Sequence, residues 1–397
     1  MIPVASIAKV NDCWQRRGPK TASADVDRNR SFPPNMSDFL RDVISLNAFT
    51  PRYMVKTAFE LMLQSTDTFK RILPESSGKL AWQEFQNKLQ AFYLFEYVDS
   101  VLGLSPGAPV SLAEMIGRTF KLEPFLAPWA TEGIGHYYTH LQTSAGMPRD
   151  LIGCDRTQRL PPESMVPLHT GMGLALAQAA ASRRLGSAAT AELFVQLCQD
   201  NACPEFLGAT LEALGLVVRN LYPDLMGSVS QYLWHSNSEL FEYFWHGAGR
   251  GIYFAPINFL PYLSRPWQGY EMCVRETPND VARQNAVAGF AWAMTLVNLR
   301  HPVILAAFLE QHGERLAKDD AFSNGIFSAL VIWRACAPTE TSISDLLQYQ
   351  PDGSNPHHLW ETQVRRIAEA ALHFPQNDMS RVTGLFRYRP LAQSGMF

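Results

Sequence analysis

Apolar residues recur at i, i+3, i+4 and i+7 through most of the chain from Ser37 onward, the spacing that lines one face of an α-helix. The runs Asp38 to Ile44, Met54 to Met62, Phe85 to Val101 and Leu112 to Phe120 show it, while the apolar/polar alternation of a half-buried strand is scarce. Proline and glycine fall mostly between the periodic runs, at Pro51, Pro74, Gly103 to Pro109, Pro161-Pro162, Pro204, Pro223 and Pro338 among others. There a missing N–H or a free backbone ends a helix at little cost. The pattern predicts an all-α chain with short loops. Beyond Tyr349 it predicts one further helix, near Trp360 to Leu372, and leaves the remaining C-terminal residues unassigned.

A second pattern lies over the first. A polar side chain followed by small residues and a long apolar run recurs at Glu132-Gly133-Ile134-Gly135, His169-Thr170-Gly171-Met172-Gly173, Glu212-Ala213-Leu214-Gly215, His246-Gly247-Ala248-Gly249, Asn285 with Gly289, and Asn324-Gly325. Each instance is expected to open a helix. The leading residues are 34 to 43 positions apart, and a unit of about 38 residues is a helical hairpin that buries its apolar face only against its neighbours. The predicted architecture is a single all-α domain of such hairpins, curved into a solenoid or an α/α toroid. Residues 1–36 form an arm without helical period, 37–124 N-terminal helices, 125–345 the repeat body with a candidate pocket, and 346–397 a C-terminal helix and tail. Glycine inside a helix costs ~1 kcal/mol relative to alanine. Gly133, Gly135, Gly171, Gly173, Gly215, Gly249 and Gly289 are therefore expected on crowded faces where another backbone comes close.

Composition narrows the function classes. Of 397 residues 47% are hydrophobic and only 18% charged, and 34 Lys+Arg against 37 Asp+Glu leave a net charge of -3. No basic field exists to hold a phosphate backbone, which argues against nucleic acid as a partner. The longest apolar stretch, Ala286 to Val297, falls short of the ~20 residues that span a bilayer and reads as a buried helix, so no transmembrane segment is expected. The first twenty residues carry Lys9, Asp12, Arg16 and Arg17 and lack the apolar centre of a signal peptide, which leads to the expectation of a cytoplasmic protein. Six cysteines without one C-x-x-C encode neither a disulfide framework nor a zinc ribbon.

Several residues bear chemistry. Glu132, His136 and His140 share a helix face at i, i+4 and i+8, so His136 and His140 are candidate metal ligands, although the spacing is neither H-E-x-x-H nor the paired E-x-x-H of di-iron bundles. A hydrogen-bonded wall with Tyr137 and Tyr138 is the plainer alternative. Arg250, one turn beyond His246 in an apolar helix, needs a buried anion: a structural carboxylate such as Glu132 or Glu212, or a substrate's acid or phosphate. Arg219 and Arg334 raise the same question. Asp319-Asp320 begins like an aspartate-rich magnesium motif of terpene cyclases but lacks its closing acid, and no G-x-S-x-G elbow, P-loop or kinase signature occurs. Nothing in the sequence names a cofactor.

At Thr131-Glu132-Gly133, Leu168 to Ala177 and His246 to Phe254, with Arg30-Ser31-Phe32 as a leader, the chain resembles the bacterial domain-of-unknown-function 1702 family, whose members accompany enediyne polyketide synthase genes. The likeness runs over about residues 28–345 and lies in the order of small motifs. His136 and His140 stand outside that pattern, and Glu212 and Arg219 stand where the family favours an Asp followed by an aromatic residue and a His. The resemblance implies a role in the biosynthesis of specialised, antibiotic-type metabolites.

These readings converge on one expectation and one alternative. The expectation is acid–base chemistry on a hydrophobic polyketide- or terpenoid-type substrate, carried by Glu132, His169, Glu212, His246 and Arg250. The enclosing pocket would be lined by Trp245, Tyr253, Phe254, Phe290, Trp292, Asn285 and Asn324. The alternative is a non-catalytic helical-repeat scaffold that docks other biosynthetic proteins along a curved face, with each polar leader only capping or tethering its own helix.

Overall fold

Glycine decides how the helices meet. The computed structural model describes residues 76–104, 110–153, 160–255, 258 and 268–394, with four helical positions between 56 and 63. The predicted arm (1–36) and the run Asp38 to Ile44 lie outside them. The chain divides into two units, Met1–Ser65 and Thr66–Phe397. In the first, Lys56 and Glu60 pair one turn apart at 3.7 Å. All that follows concerns the second.

The described residues are helical, with no strand among them, as the apolar spacing predicts. The helices are α1 (Ser76–Glu96), α2 (Leu112–Thr119), α3 (Ala127–Ala145), α4 (Pro162–Ala181), α5 (Ser187–Asn201), α6 (Leu207–Leu211), α7 (Ala213–Leu221), α8 (Met226–Ser236), α9 (Ser238–Tyr253), α10 (Gly269–Glu276), α11 (Asp280–Val297), α12 (Pro302–Leu316) and α13 (Ala321–Cys336). After them come α14 (Ser342–Gln348), α15 (Ser354–Trp360), a π-helical stretch Glu361–Arg365, α16 (Arg366–His373) and α17 (Met379–Thr383). The helix expected near Trp360 to Leu372 is thus present, with a wide turn in its middle.

The helices bearing the glycine motifs pack on one another in chain order, α3 on α4, α4 on α7, α7 on α9, α9 on α11 and α11 on α13, and α13 also touches α4. Helices α4, α9, α11 and α13 are buried along most of their length, as helices apolar on all sides must be. Helices α5, α8, α10 and α12 pack beside them and bury only one face each.

Each predicted crowded glycine lies against a neighbouring backbone. A Cβ on Gly171 would overlap the Glu132 carbonyl oxygen, and one on Gly135 the Leu168 carbonyl oxygen, so α3 and α4 clasp reciprocally. The same exchange joins α7 to α9 (Gly215 on Phe244, Gly247 on Glu212) and α9 to α11 (Gly249 on Ala286, Gly289 on His246). Gly173 meets Thr210, Gly325 meets Ala288, and Gly133 stands with its missing Cβ 2.8 Å from the Phe95 oxygen. Such approaches set a Cα–H against a carbonyl, each worth perhaps ~0.5–1 kcal/mol, and they close the gap that a side chain would prop open.

One expectation is corrected. Most polar leaders do not open their helices: Glu132, His169, His246 and Asn285 sit more than one turn inside α3, α4, α9 and α11, Asn324 is the fourth residue of α13, and Glu212 bridges α6 and α7. The capping side chains are others, Ser111, Asn237, Asn279 and Asp378, each accepting from a backbone N–H of the first turn.

Gly215→Ala is expected to lower stability by about 1–3 kcal/mol or more through overpacking, seen as a drop in melting temperature and in soluble yield. Gly227→Ala, at an exposed position of α8 where an added Cβ meets nothing within 4 Å, is expected to raise stability by ~0.5–1 kcal/mol. A Gly215→Ala protein as stable as its parent contradicts the role given to these contacts.

Candidate active site

Four of the five predicted chemical residues meet in the interior. Arg250 donates through one terminal nitrogen to Glu212 at 2.7 Å and through the other to Glu132 at 3.0 Å. The remaining oxygen of Glu212 lies 2.7 Å from Nδ1 of His246. The guanidinium carbon stands 4.5 Å from the Trp292 ring centroid, a cation–π contact that closes one side. Side-chain exposures are 3% for Arg250, 1% for Glu212, 0% for His246 and 10% for Glu132. The glycine contacts place these groups: Gly171 rests on the backbone of Glu132, Gly247 on that of Glu212 and Gly289 on that of His246.

The two carboxyl groups are shifted in opposite directions. Burial pushes Glu132 up, and the single bond from Arg250 does not offset it, so its carboxyl lies above the usual carboxylate range. Glu212 feels the same desolvation, but Arg250 and His246 together overcome it and hold the group below that range. Burial opposes the charge of Arg250, and the two glutamates raise its pKa despite this. An ionised Glu212 accepts hydrogen bonds only, so Nδ1–H of His246 is the donor of this contact. Nε2 of His246, Nε of Arg250 and Nε1 of Trp292 are buried without a hydrogen-bond partner among the described residues.

The other predicted residues go elsewhere. His169 spends both ring nitrogens on backbone, Nδ1 on the Met165 carbonyl at 2.7 Å and Nε2 accepting from the Cys203 N–H at 3.1 Å. It is a tether between α4 and the turn before α6, and its place in the expected catalytic group is corrected. Asn285 and Asn324 do not look into a hollow either. Asn285 accepts from the Tyr388 N–H at 2.7 Å and Asn324 donates to the Arg389 carbonyl, so both grip the C-terminal segment.

The aromatic residues expected around one pocket are likewise divided. Trp292 borders the network, whereas Trp245 donates to Ser230 at 3.1 Å and packs on Phe241 and Phe244. Tyr253 packs on Phe254 and Phe290 and covers a second buried ion pair, Lys88 with Glu84 at 3.0 Å. The Lys88 ammonium lies 4.0 Å from the Tyr253 centroid and donates to the Asn258 carbonyl at 2.8 Å; desolvation lowers its pKa against the pull of Glu84. A small cavity lined by Asn87, Gln90, Ala91, Phe125, Trp129 and Val297 includes none of the predicted site residues.

The candidate metal ligands bind no common point. His136 and His140 stack at 6.1 Å with rings 8° apart, and Nε2 of His136 lies 3.1 Å from Oε1 of Gln178. Among the described residues no three His, Cys, Asp or Glu side chains come together as a metal site would require. Asp319 pairs with Arg283 at 2.8 Å and Asp320 accepts from the Leu391 N–H at 2.7 Å, structural work that leaves no magnesium motif there. Arg219 forks onto Glu276, and Arg334 donates to the Ala371 carbonyl. Cys198, Cys203, Cys273 and Cys336 are buried, and burial raises the pKa of Cys198, Cys273 and Cys336.

Sequence reasoning missed the lid of this network. Phe386, fully buried, lies with its ring 6.5 Å from His246 and 5.7 Å from Trp292. It belongs to an irregular stretch after α17 that no periodicity marks, and its partners lie far upstream in the chain.

No family model matches the chain. No curated protein and no solved structure was found similar to it. The chemistry of the site therefore rests on its geometry.

Arg250→Met leaves two carboxyl groups buried without their cation and is expected to cost about 3–5 kcal/mol in denaturant unfolding. Adding Glu212→Gln should recover part of that loss, with a coupling of ~0.5–3 kcal/mol; strictly additive losses contradict a shared network. Burial holds His169 at about 4, so between its ordinary pKa near 6.5 and that value the unfolded chain binds a proton that the folded chain refuses. Stability should then fall as pH drops across this window, by up to about 1.4 kcal/mol per pH unit from this one group. The His169 ring followed by NMR should stay unprotonated at pH 5, and titration near 6.5 contradicts the buried tether.

Proposed function

We propose that this chain is an acid–base enzyme whose centre is the Glu132–Arg250–Glu212–His246 network. The observation that carries the reading is Nε2 of His246, a ring nitrogen that is fully buried, has no hydrogen-bond partner among the described residues, and belongs to a ring oriented by a carboxylate 2.7 Å from Nδ1. A buried polar atom without a partner costs ~1–3 kcal/mol, and a fold that retains one beside a held carboxylate has the arrangement of a general base. In the proposed step Nε2 takes a proton from an acidic C–H or O–H of the substrate. Glu212 stabilises the imidazolium that forms, and the same proton is returned at another atom, so the net change is an isomerisation or a cyclisation. Glu132, whose carboxyl burial favours in the protonated form, donates a hydrogen bond to the substrate atom on which negative charge develops and keeps its own proton. Arg250 keeps the two carboxyl groups together at a separation they would otherwise resist.

The walls around the network are Trp292 and Phe386, which suits an apolar, unsaturated substrate of polyketide or terpenoid type. The resemblance of the glycine motifs to a family found with polyketide synthase genes is the reason for proposing a role in specialised-metabolite biosynthesis. The succession α3–α4–α7–α9–α11–α13, with α13 returning to α4, supports reading these helices as the inner layer of an α/α toroid. No described helix is long and apolar enough to cross a membrane, and a cytoplasmic place is part of the proposal. The scaffold alternative gives the buried network no task.

His246→Gln and Glu212→Gln, introduced in the producing host, are expected to lower product by ~10²–10⁴-fold at normal protein level. Arg219→Ala, which removes only a partly exposed ion pair, should leave product unchanged. Unaltered product in His246→Gln, with the protein present and folded, contradicts the enzyme reading.

A further inference from the structure

The segment that covers the network is held largely by polar side chains. After α17 the chain turns at Gly384 and runs without helix through Phe386 to Pro390. Its backbone is caught by three polar side chains of the glycine-bearing helices. Asn285 of α11 accepts from the Tyr388 N–H, Asn324 of α13 donates to the Arg389 carbonyl, and Asp320 accepts from the Leu391 N–H. Its side chains add a hydrogen bond from the Tyr388 hydroxyl to Asp320 and ion pairs from Arg387 to Glu239 and Glu242 and from Arg389 to Glu242. Within the strap from Phe386 to Pro390, Phe386 is the fully buried side chain, and it is the one that touches the network.

Asn285 and Asn324 are themselves buried, but their strap partners Tyr388 and Arg389 and the Asp320 carboxylate lie at half-exposed positions, and polar attachments there exchange with water more readily than packed apolar surface. Beneath them the Phe386 ring rests edge-on against His246, at 80° and 6.5 Å, and against Trp292 at 5.7 Å. Both of those rings keep a buried nitrogen without a hydrogen-bond partner among the described residues, Nε2 of His246 and Nε1 of Trp292. A phenyl group supplies the apolar contact but cannot satisfy either nitrogen.

We infer that residues 386–390, between the buried Leu385 and Leu391, are a displaceable strap and that Phe386 holds the place of a ligand. The ligand is an aromatic or conjugated apolar group bearing a hydroxyl, which can donate to Nε2 of His246 and accept from Nε1–H of Trp292. The inference rests on the acid–base reading for the identity of the centre, but it concerns binding alone. Asn285 and Asn324, far from lining a pocket, are the latches of its cover.

The test uses the full chain with Phe386→Ala, which removes one benzyl group's worth of packing, and phenol and benzene as probes. Phenol is expected to raise the melting temperature of Phe386→Ala at least about twice as much as benzene at equal concentration, to leave the parent protein unshifted, and to lose its advantage when His246→Gln is added. Phe194→Ala, a buried phenylalanine in α5 outside these contacts, serves as the cavity control and should show no preference for phenol. Equal shifts with the two probes, or no shift in Phe386→Ala, overturn the inference. Hydrogen exchange on the parent protein provides a readout that needs no variant: the amides of Tyr388 and Leu391 should exchange at least tenfold faster than those of Ala248 and Gly249, and exchange of all four only with global unfolding overturns it equally. Failure here with loss of product in His246→Gln removes the strap and leaves the enzyme; phenol binding with unaltered product removes the enzyme and leaves a binding site.

Discussion

Backbone-to-backbone contact at glycine is the constraint from which the rest follows. Where Gly171 lies on the carbonyl of Glu132, Gly247 on that of Glu212 and Gly289 on that of His246, helix axes come closer than any side chain would allow. Side chains that leave the helices beside those points therefore converge. A glutamate, an arginine and a histidine drawn into such a place lose most of their water, and they remain only because each finds an opposite partner. Arg250 between Glu132 and Glu212, with His246 on the free oxygen of Glu212, is that solution. A buried ionic network contributes little net stability compared with an apolar core of the same shape. Its retention is better understood through what a desolvated acid, base and cation can do than through what they hold together.

Burial treats the two glutamates unequally, and this asymmetry has chemical content. Glu132 has one cation contact and is raised, whereas Glu212 has Arg250 and His246 and is lowered. Two carboxyl groups on the same guanidinium are thus pushed in opposite directions, the kind of separation on which the proposed acid–base chemistry would draw. The apolar cover of Trp292 and Phe386 keeps water from levelling them.

The sequence revealed the helices and, through glycines placed inside them, the faces on which they meet, because a helix-breaking residue in an apolar run has few explanations besides a close neighbour. It also brought out Glu132, Glu212, His246 and Arg250, since a lone arginine in an apolar helix demands an anion. It failed where partners are distant or local cues mislead. His169 looks like the other leaders, yet its ring reaches the Met165 carbonyl one turn back and the Cys203 amide, which no spacing rule shows. The uneven spacing of the leaders has the same origin: Gly171 follows its leader by two positions, Gly247 by one and Gly289 by four, so glycine and polar registers drift apart. Phe386 and its strap were invisible, because an irregular segment has no period and its latches Asn285, Asp320 and Asn324 belong to helices much earlier in the chain.

The central claim is that helices clasped through glycine bring two donors of α9 onto one carboxylate. Trans-hydrogen-bond NMR couplings on protein labelled at Glu, His and Arg test it directly. The account predicts that the Nδ1–H of His246 and a terminal N–H of Arg250 both couple to the side-chain carboxyl carbon of Glu212. Coupling from neither, with a His246 ring proton exchanging as freely as that of an exposed imidazole, contradicts it.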